Sequence, residues 1–213
     1  MANSADSSAQ NSPTPTLHLE NEREVGEAIT NTVTPREDLF VTSKIPGRHH
    51  GFDEAIASTE ESLARLGLDY LDLHLIHWPN PSVGKYVDTW RGLIELRERG
   101  LVKSIGVSNF TEEMLTELVE KTGVTPAVNQ VELHPYFPQD KLAAAHRVTP
   151  AQVVLRWHIE VGSIPIPKSA NPERQRLNAA VFDFALTPAE VAAISRLERG
   201  RMKARDPLTH EEM

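Results

Sequence analysis

The sequence predicts an α/β fold, a (β/α)₈ TIM barrel, on three observations. Segments with the two-residue period of strands alternate with segments of helical period along most of the chain, the pattern of a parallel sheet covered by helices. Four strand-like runs close on polar residues: LFVTSK on Lys44, LDLHLIHWP on His77, KSIGVSN on Ser108 and Asn109, and AVNQVELHP on Gln130 and Glu132. In a closed barrel the C-terminal ends of the strands converge on one face, so residues far apart in sequence gather around a single pocket. Finally, 213 residues with 39% apolar content suffice for one sizeable core and fall near the lower limit of a single barrel domain.

Each element has its own signal. Residues 1 to about 15 are rich in Ser, Asn, Pro and Ala and have too few apolar side chains to offset their ordering entropy, so they are expected to form a flexible tail, with residues 16–213 as one domain. Glu22 to Thr30 reads as helix, Leu39 to Thr42 as strand, and Glu54 to Leu66 as a helix with apolar residues at helical spacing. Leu71 to Ile76 is strand-like, Asp88 to Arg99 is a helix ended by Gly100, Val102 to Val107 is strand-like, and Thr111 to Lys121 is a helix ended near Gly123. A strand over Ala127 to Val131, a helix over Thr149 to Val161 with Pro150 in its first turn, a strand over Ser163 to Ile166 and a late helix over Pro188 to Leu197 complete the reading. That makes five strands where closure needs eight. The irregular places are Leu19 to Asn21, where a short strand-like run passes straight into a helix, and Leu142 to Arg147, where one helix runs into another.

Composition narrows the function classes. A net charge of −8 with the 22 Lys and Arg scattered offers no basic face, which argues against a nucleic-acid partner. There is no cysteine, so disulfides, thiolate nucleophiles and Cys-ligated zinc are excluded. The first residues lack the basic and apolar regions of a signal peptide, and no apolar run approaches the ~18 residues that span a bilayer, so no membrane partner, a cytoplasmic location and a monomer are expected. No metal site is expected either: His74 and His77 lie an odd number of residues apart and point to opposite faces of a regular strand, and His49 and His50 sit in a glycine-flanked loop that reads as solvated.

LGLDYLDLHLIHWP, KSIGVSNF, PAVNQVELHPYF, TPAQVVLRW and IPKS, in this order, make the chain resemble the aldo-keto reductase family, most closely its bacterial 2,5-diketo-gluconate reductase-like branch, over roughly residues 20–200. The resemblance implies reduction of aldehydes and ketones with NADPH. It assigns Lys44 and His77 to two of the four residues of the catalytic tetrad, the lysine lowering the pKa of a tyrosine and the histidine orienting the carbonyl oxygen. Such groups are needed because hydride delivery to a carbonyl carbon builds negative charge on oxygen, which must meet preorganised donors and a proton. The resemblance also places Ser108, Asn109 and Gln130 on the nicotinamide carboxamide, with strand-end capping before the helix at Thr111 as the plainer role for the first two. Lys168, Ser169 and Arg174 correspond to the site for the adenosine 2′-phosphate, and Asn178 to an adenine contact. The family usually has a glutamate one residue before that asparagine, where this chain has Leu177. Trp78, Tyr86 and Tyr136 are candidates for the wall of a substrate pocket.

Two departures bear on activity. The segment ENEREVG resembles the end of a stretch that in the family begins with the tetrad Asp and Tyr, and a further strand is missing between Leu142 and Arg147, so the barrel is expected to be incomplete, without its strands 1, 2 and 7. Each gap corresponds to roughly 40 residues against the ~250 of a typical barrel. Tyr70, Tyr86 and Tyr136 do not match the tetrad tyrosine. The chain as it stands is therefore expected to be inactive toward carbonyls, and an NADP-binding or scaffold role without catalysis is the alternative reading. Without the paired aspartate, burial should favour the neutral amine of Lys44. The stretch from Arg199 to Met213, short and charged with no aromatic, points to a shallow pocket that prefers small dicarbonyls or aldehydes over steroids.

Overall fold

A computed structural model describes residues 21–132, 139–197, 206–210 and 212, so the expected flexible tail and Tyr136 lie outside the described residues. Within them, helices and strands alternate as α1 (Glu22–Asn31), β1 (Thr42–Ile45), α2 (Phe52–Leu66), β2 (Leu71–Ile76), α3 (Tyr86–Glu98), β3 (Val102–Ser108), α4 (Glu112–Thr122) and β4 (Asn129–Gln130), followed by the helices α5 (Asp140–His146), α6 (Pro150–Glu160), α7 (Pro172–Ala179) and α8 (Pro188–Ser195). The chain divides into two compact units, one running to Glu132 and including the C-terminal residues from Arg205, the other spanning Leu133–Ala204.

The first unit is a four-stranded sheet in the order β1-β2-β3-β4, every neighbouring pair parallel. Parallel strands are buried on both faces, which is why β2 reads as a nearly continuous apolar run broken only by Asp72 and His74. Leu71, Ile76, Val102, Ile105 and Val107 are almost wholly buried, and the helices close over them with Leu63, Leu66, Trp90, Leu93, Leu96 and Leu118. Gly92 lets α2 and α3 cross closely: a Cβ there would lie 2.8 Å from the Phe52 carbonyl oxygen. Gly67 and Gly123 end α2 and α4 in the left-handed conformation that favours glycine. The second unit packs α5, α6 and α8 around Ala143, Val153, Trp157, Leu186 and Ile194. Two of its helices begin on capping boxes, formed by Thr149 and Gln152 on α6 and by Thr187 and Glu190 on α8.

Most elements match the sequence reading within two residues, and five differences have physical causes. The first strand is Thr42–Ile45 rather than Leu39–Thr42, because Leu39 to Val41 approach the sheet before the ladder begins and the Val41 N–H is taken by the Asp72 carboxylate at 2.9 Å. The last strand shrinks from Ala127–Val131 to Asn129–Gln130, although Ala127 and Val128 still bond across to Ile105 and Val107. Ser163 to Ile166 forms no strand: it has no ladder partner among the described residues, and Ile164 is 80% exposed. The α7 helix went unread because its composition is polar, although Asn171-Pro172 is a helix-start signal. At the suspected junction, α5 and α6 are separate helices divided by Arg147, whose φ of 58° turns the chain through the left-handed region.

The polar residues of β2 show how the sheet tolerates them. Burial alone would raise the Asp72 carboxyl, but the Val41 N–H, Lys103 and Arg36 hold it below its usual range. His74 is fully enclosed with Nε2 3.1 Å from the Thr59 hydroxyl, and burial drives its pKa down to about 4, only partly opposed by the Ser43 backbone and Glu22. A histidine with a lowered folded pKa takes up a proton in the unfolded chain first, so its stabilising share is complete above about 6.5 and lost as the pH falls toward 4. Urea unfolding at pH 7 and pH 4.5 should show a drop of which on the order of 2 kcal/mol disappears in His74→Leu, since Thr59 retains its bond to the Ala55 carbonyl. An identical pH slope in the variant would remove His74 from the account.

Candidate active site

The parallel register brings the polar strand ends level. Lys44 pairs with Leu75 and Ile45 with Ile76, and Ile76 pairs in turn with Val107, so that Lys44, His77 and Ser108 emerge at the same C-terminal edge of the sheet. Lys44 lies one residue inside β1 and is 9% exposed. Burial draws its pKa down from 10.5 to about 8, with the Glu212 carboxylate acting in the opposite direction. His77 continues β2 by one residue, its N–H bonded to the Ile45 carbonyl at 3.1 Å.

Ser108, Asn109 and Gln130 are tied into one network beside it. Asn109 Nδ2 donates to the His77 carbonyl at 3.2 Å and to Ser108 Oγ at 3.1 Å, Ser108 Oγ donates to the Gln130 carbonyl at 2.8 Å, and the Asn109 N–H reaches the same carbonyl at 3.0 Å. Asn109 has φ 63°, a conformation asparagine accepts more readily than most residues. Helix capping is not their role, because the N-cap of α4 is Thr111, whose hydroxyl accepts the Met114 N–H. Sequence reading missed Asn129, which bonds both the N–H and the carbonyl of Phe110 and thereby fixes the turn that carries Asn109.

Trp78 is buried at the same edge with its ring against His210, centroids 4.4 Å apart in an edge-on contact. His210 and Glu212 are the second set of residues that sequence reading missed. Asn80 bonds the Glu212 backbone on both sides, its Oδ1 accepting the N–H at 3.0 Å and its Nδ2 donating to the carbonyl, and His77 Nδ1 lies 2.6 Å from Glu212 Oε1. No local signal in a charged terminal run foretells such a contact. His50, expected in solvent, is instead 3% exposed: the loop folds into a 3₁₀ turn and docks on α3 through the Gly51 N–H and the Thr89 hydroxyl.

In the second unit, Lys168, Ser169 and Arg174 gather at the start of α7. Asn171 caps that helix by accepting the Arg174 N–H at 3.0 Å, Ser169 Oγ accepts the Asn171 N–H at 3.1 Å, and Gln175 donates to the Ser169 carbonyl. Lys168 and Arg174 are exposed and Asn178 is half-buried in the last turn. In the second unit, two cations and a hydroxyl at a helix start suit a phosphate; in the first, amide and hydroxyl groups that both donate and accept suit a carboxamide. Among the described residues, no group of three His, Asp or Glu side chains is placed to hold a metal, and no helix is long and apolar enough to cross a membrane.

Both described tyrosines are engaged elsewhere. The Tyr70 ring lies between the Arg36 guanidinium at 4.1 Å and the Lys103 ammonium at 3.9 Å, at the N-terminal end of the sheet. Tyr86 donates to Glu117 and packs edge-on against Phe110, joining α3 to α4, and burial with that carboxylate pushes its pKa up to about 12. It is a structural brace rather than a pocket wall.

Parallel strands of an α/β fold end here on a lysine, a histidine and an amide–hydroxyl network, and comparison with known proteins supplies the class. Residues 18–142 and 138–199 match the Aldo/keto reductase family, and the chain belongs to it. It is 56% identical to the 2,5-diketo-D-gluconic acid reductase B of Corynebacterium sp. (strain SHS752001) over 92% of this chain and 83% of that protein, and 44% identical to an aldo-keto reductase of Mycolicibacterium smegmatis over 89% and 80%. Among solved structures, an aldo/keto reductase of Brucella melitensis superposes with a TM-score of 0.78 at 41% identity, covering 83% of this chain and 80% of that one. One from Bombyx mori in complex with NADP does so with a TM-score of 0.76 at 35% identity, covering 83% and 75%. The four described strands are therefore part of a (β/α)₈ barrel, and the two family matches meet at residues 138–142, beside the junction suspected from sequence.

The burial of Lys44 has a direct consequence in solution. In ¹³C-methylated protein, one lysine resonance should titrate with a midpoint near pH 8 and disappear in Lys44→Met. A Lys44 midpoint above 10 would show that the amine is solvated.

Proposed function

We propose that this chain carries the cofactor and carbonyl site of an NADPH-dependent oxidoreductase of small aldehydes and ketones, a cytoplasmic monomer with one functional domain over residues 16–213, and that turnover itself requires the barrel segments this sequence lacks. The observation that carries the reading is the convergence of Lys44 and His77 at one strand edge with the Ser108, Asn109 and Gln130 network, in a member of this family. NADPH, when bound, supplies the hydride. Ser108, Asn109 and Gln130 hold its carboxamide, and Lys168, Ser169, Arg174 and Asn178 bind the adenosine end, the cations selecting the 2′-phosphate. Lys44 and His77 face the oxygen on which negative charge grows, and Trp78 forms the wall beside it.

A second reading, an NADP-binding protein without turnover, is favoured by the tyrosines, since Tyr70 and Tyr86 are committed to other contacts and leave the carbonyl without a phenolic proton donor among the described residues. Two measurements separate the readings. NADPH titration should quench tryptophan fluorescence with clear preference over NADH; equal affinity for the two would remove Lys168 and Arg174 from the site. The 213-residue chain should show no turnover of a methylglyoxal-sized aldehyde, whereas a chimera given the corresponding missing segments of the Corynebacterium reductase should reduce it and lose about 100-fold in kcat on His77→Gln. A chimera that binds NADPH yet stays inactive establishes the second reading, and turnover by the unmodified chain would mean that another residue supplies the proton.

A further inference from the structure

The carboxylate nearest the strand-edge site comes from neither the sheet nor its helices. Glu212 is 6% exposed, and an ionised carboxylate is not held out of water without partners. The partners are specific. His77 Nδ1 is 2.6 Å from Oε1, and the Glu212 backbone is gripped on both sides by the side-chain amide of Asn80. Asn80 is itself 1% exposed and holds φ at 45°, a left-handed conformation. Gly47, in the loop after β1, completes the seat: a Cβ there would fall 1.8 Å from the Glu212 carbonyl oxygen and 2.0 Å from Asn80 Nδ2. His210 adds an aromatic contact to Trp78. Four contacts from two loops thus fix one glutamate at the site.

We propose that Glu212 is a positioning residue of the active site, holding the His77 ring through Nδ1 so that Nε2 is presented to the substrate and serving as the counter-charge of the buried Lys44. The proposal rests on the reading of Lys44 and His77 as the reacting pair. The physical reason is that a buried ammonium is costly unless a carboxylate lies near it. Glu212 supplies that charge from a different part of the chain, and its attraction opposes the loss of the Lys44 proton. The charged or titratable groups involved are Glu212 from the C-terminal residues, Lys44 from β1 and His77 from the end of β2.

The test needs no turnover. In the full chain, Glu212→Gln keeps the shape and removes the charge, so the Lys44 methyl-amine resonance should move its midpoint about one pH unit below the wild-type value. Glu212→Asp should restore part of the difference. The ¹⁵N spectrum of the His77 imidazole should at the same time lose the signature of a proton fixed on Nδ1. Gly47→Ala leaves every charged group in place but evicts the Glu212 backbone, and should reproduce both changes. An unmoved Lys44 midpoint in Glu212→Gln and Gly47→Ala, both shown to be folded by circular dichroism, overturns the proposal. NADPH titration of the wild type reports separately on the reductase reading: loss of binding there, with the Lys44 shift intact, would leave Glu212 as the partner of Lys44 and His77 in a site of another kind.

Discussion

Everything functional in this molecule depends on the parallel register of β1, β2 and β3. The alignment of Lys44 with Leu75 and of Ile76 with Val107 sets three strand ends at one height, so a lysine, a histidine and a serine spaced some thirty residues apart along the chain become neighbours. Side chains alternate between the faces of a strand, so a one-residue slip of any pair would turn the site residue of that strand away. The register is protected by what surrounds it. Leu71, Leu75, Ile76, Ile105 and Val107 are wholly packed, and a slipped strand would have to place Asp72 or His74 in their positions.

The two ends of the sheet carry different burdens. At the N-terminal end, the Asp72 carboxylate pairs with both Arg36 and Lys103, whose cations also lie against the Tyr70 ring. At the C-terminal end, Lys44 is held in an environment that disfavours its charge, which is what a group must accept if it is to stabilise charge appearing later. Barrel enzymes place stability at one face and chemistry at the other, and four strands are enough to show that division.

What could be read from the sequence follows from range. Elements with a strong local period, such as β2 and α2, were legible almost to the residue, as were Gly67 and Gly123 as helix ends, because periodicity and capping are local physics. Lys44, His77, Ser108 and Asn109 could be named because polar residues at the ends of apolar strands are unusual in sequence and the family motifs surround them. The expectation for Lys44, a pKa drawn down by burial, holds in direction. Apart from α7, whose polar composition hid a local helix-start signal, the failures are non-local. Ser163 to Ile166 has the composition of a strand, but a strand exists only with a neighbour to bond, and His50 is buried by a turn that no pattern announces. Asn80 and Glu212 were illegible for the same reason, being polar residues whose meaning lies in each other.

That last pairing spans 132 positions of the chain. A ribosome adding about 5–20 residues each second needs on the order of ten seconds to travel from Asn80 to Glu212. In the later part of that interval, once Gln130 has been made, β1 to β4 can already be paired, with Lys44 and His77 in register, while the carboxylate of Glu212 has not been made. The order of synthesis thus separates the making of the scaffold from the completion of its chemistry, and a nascent chain presents the one well before it acquires the other.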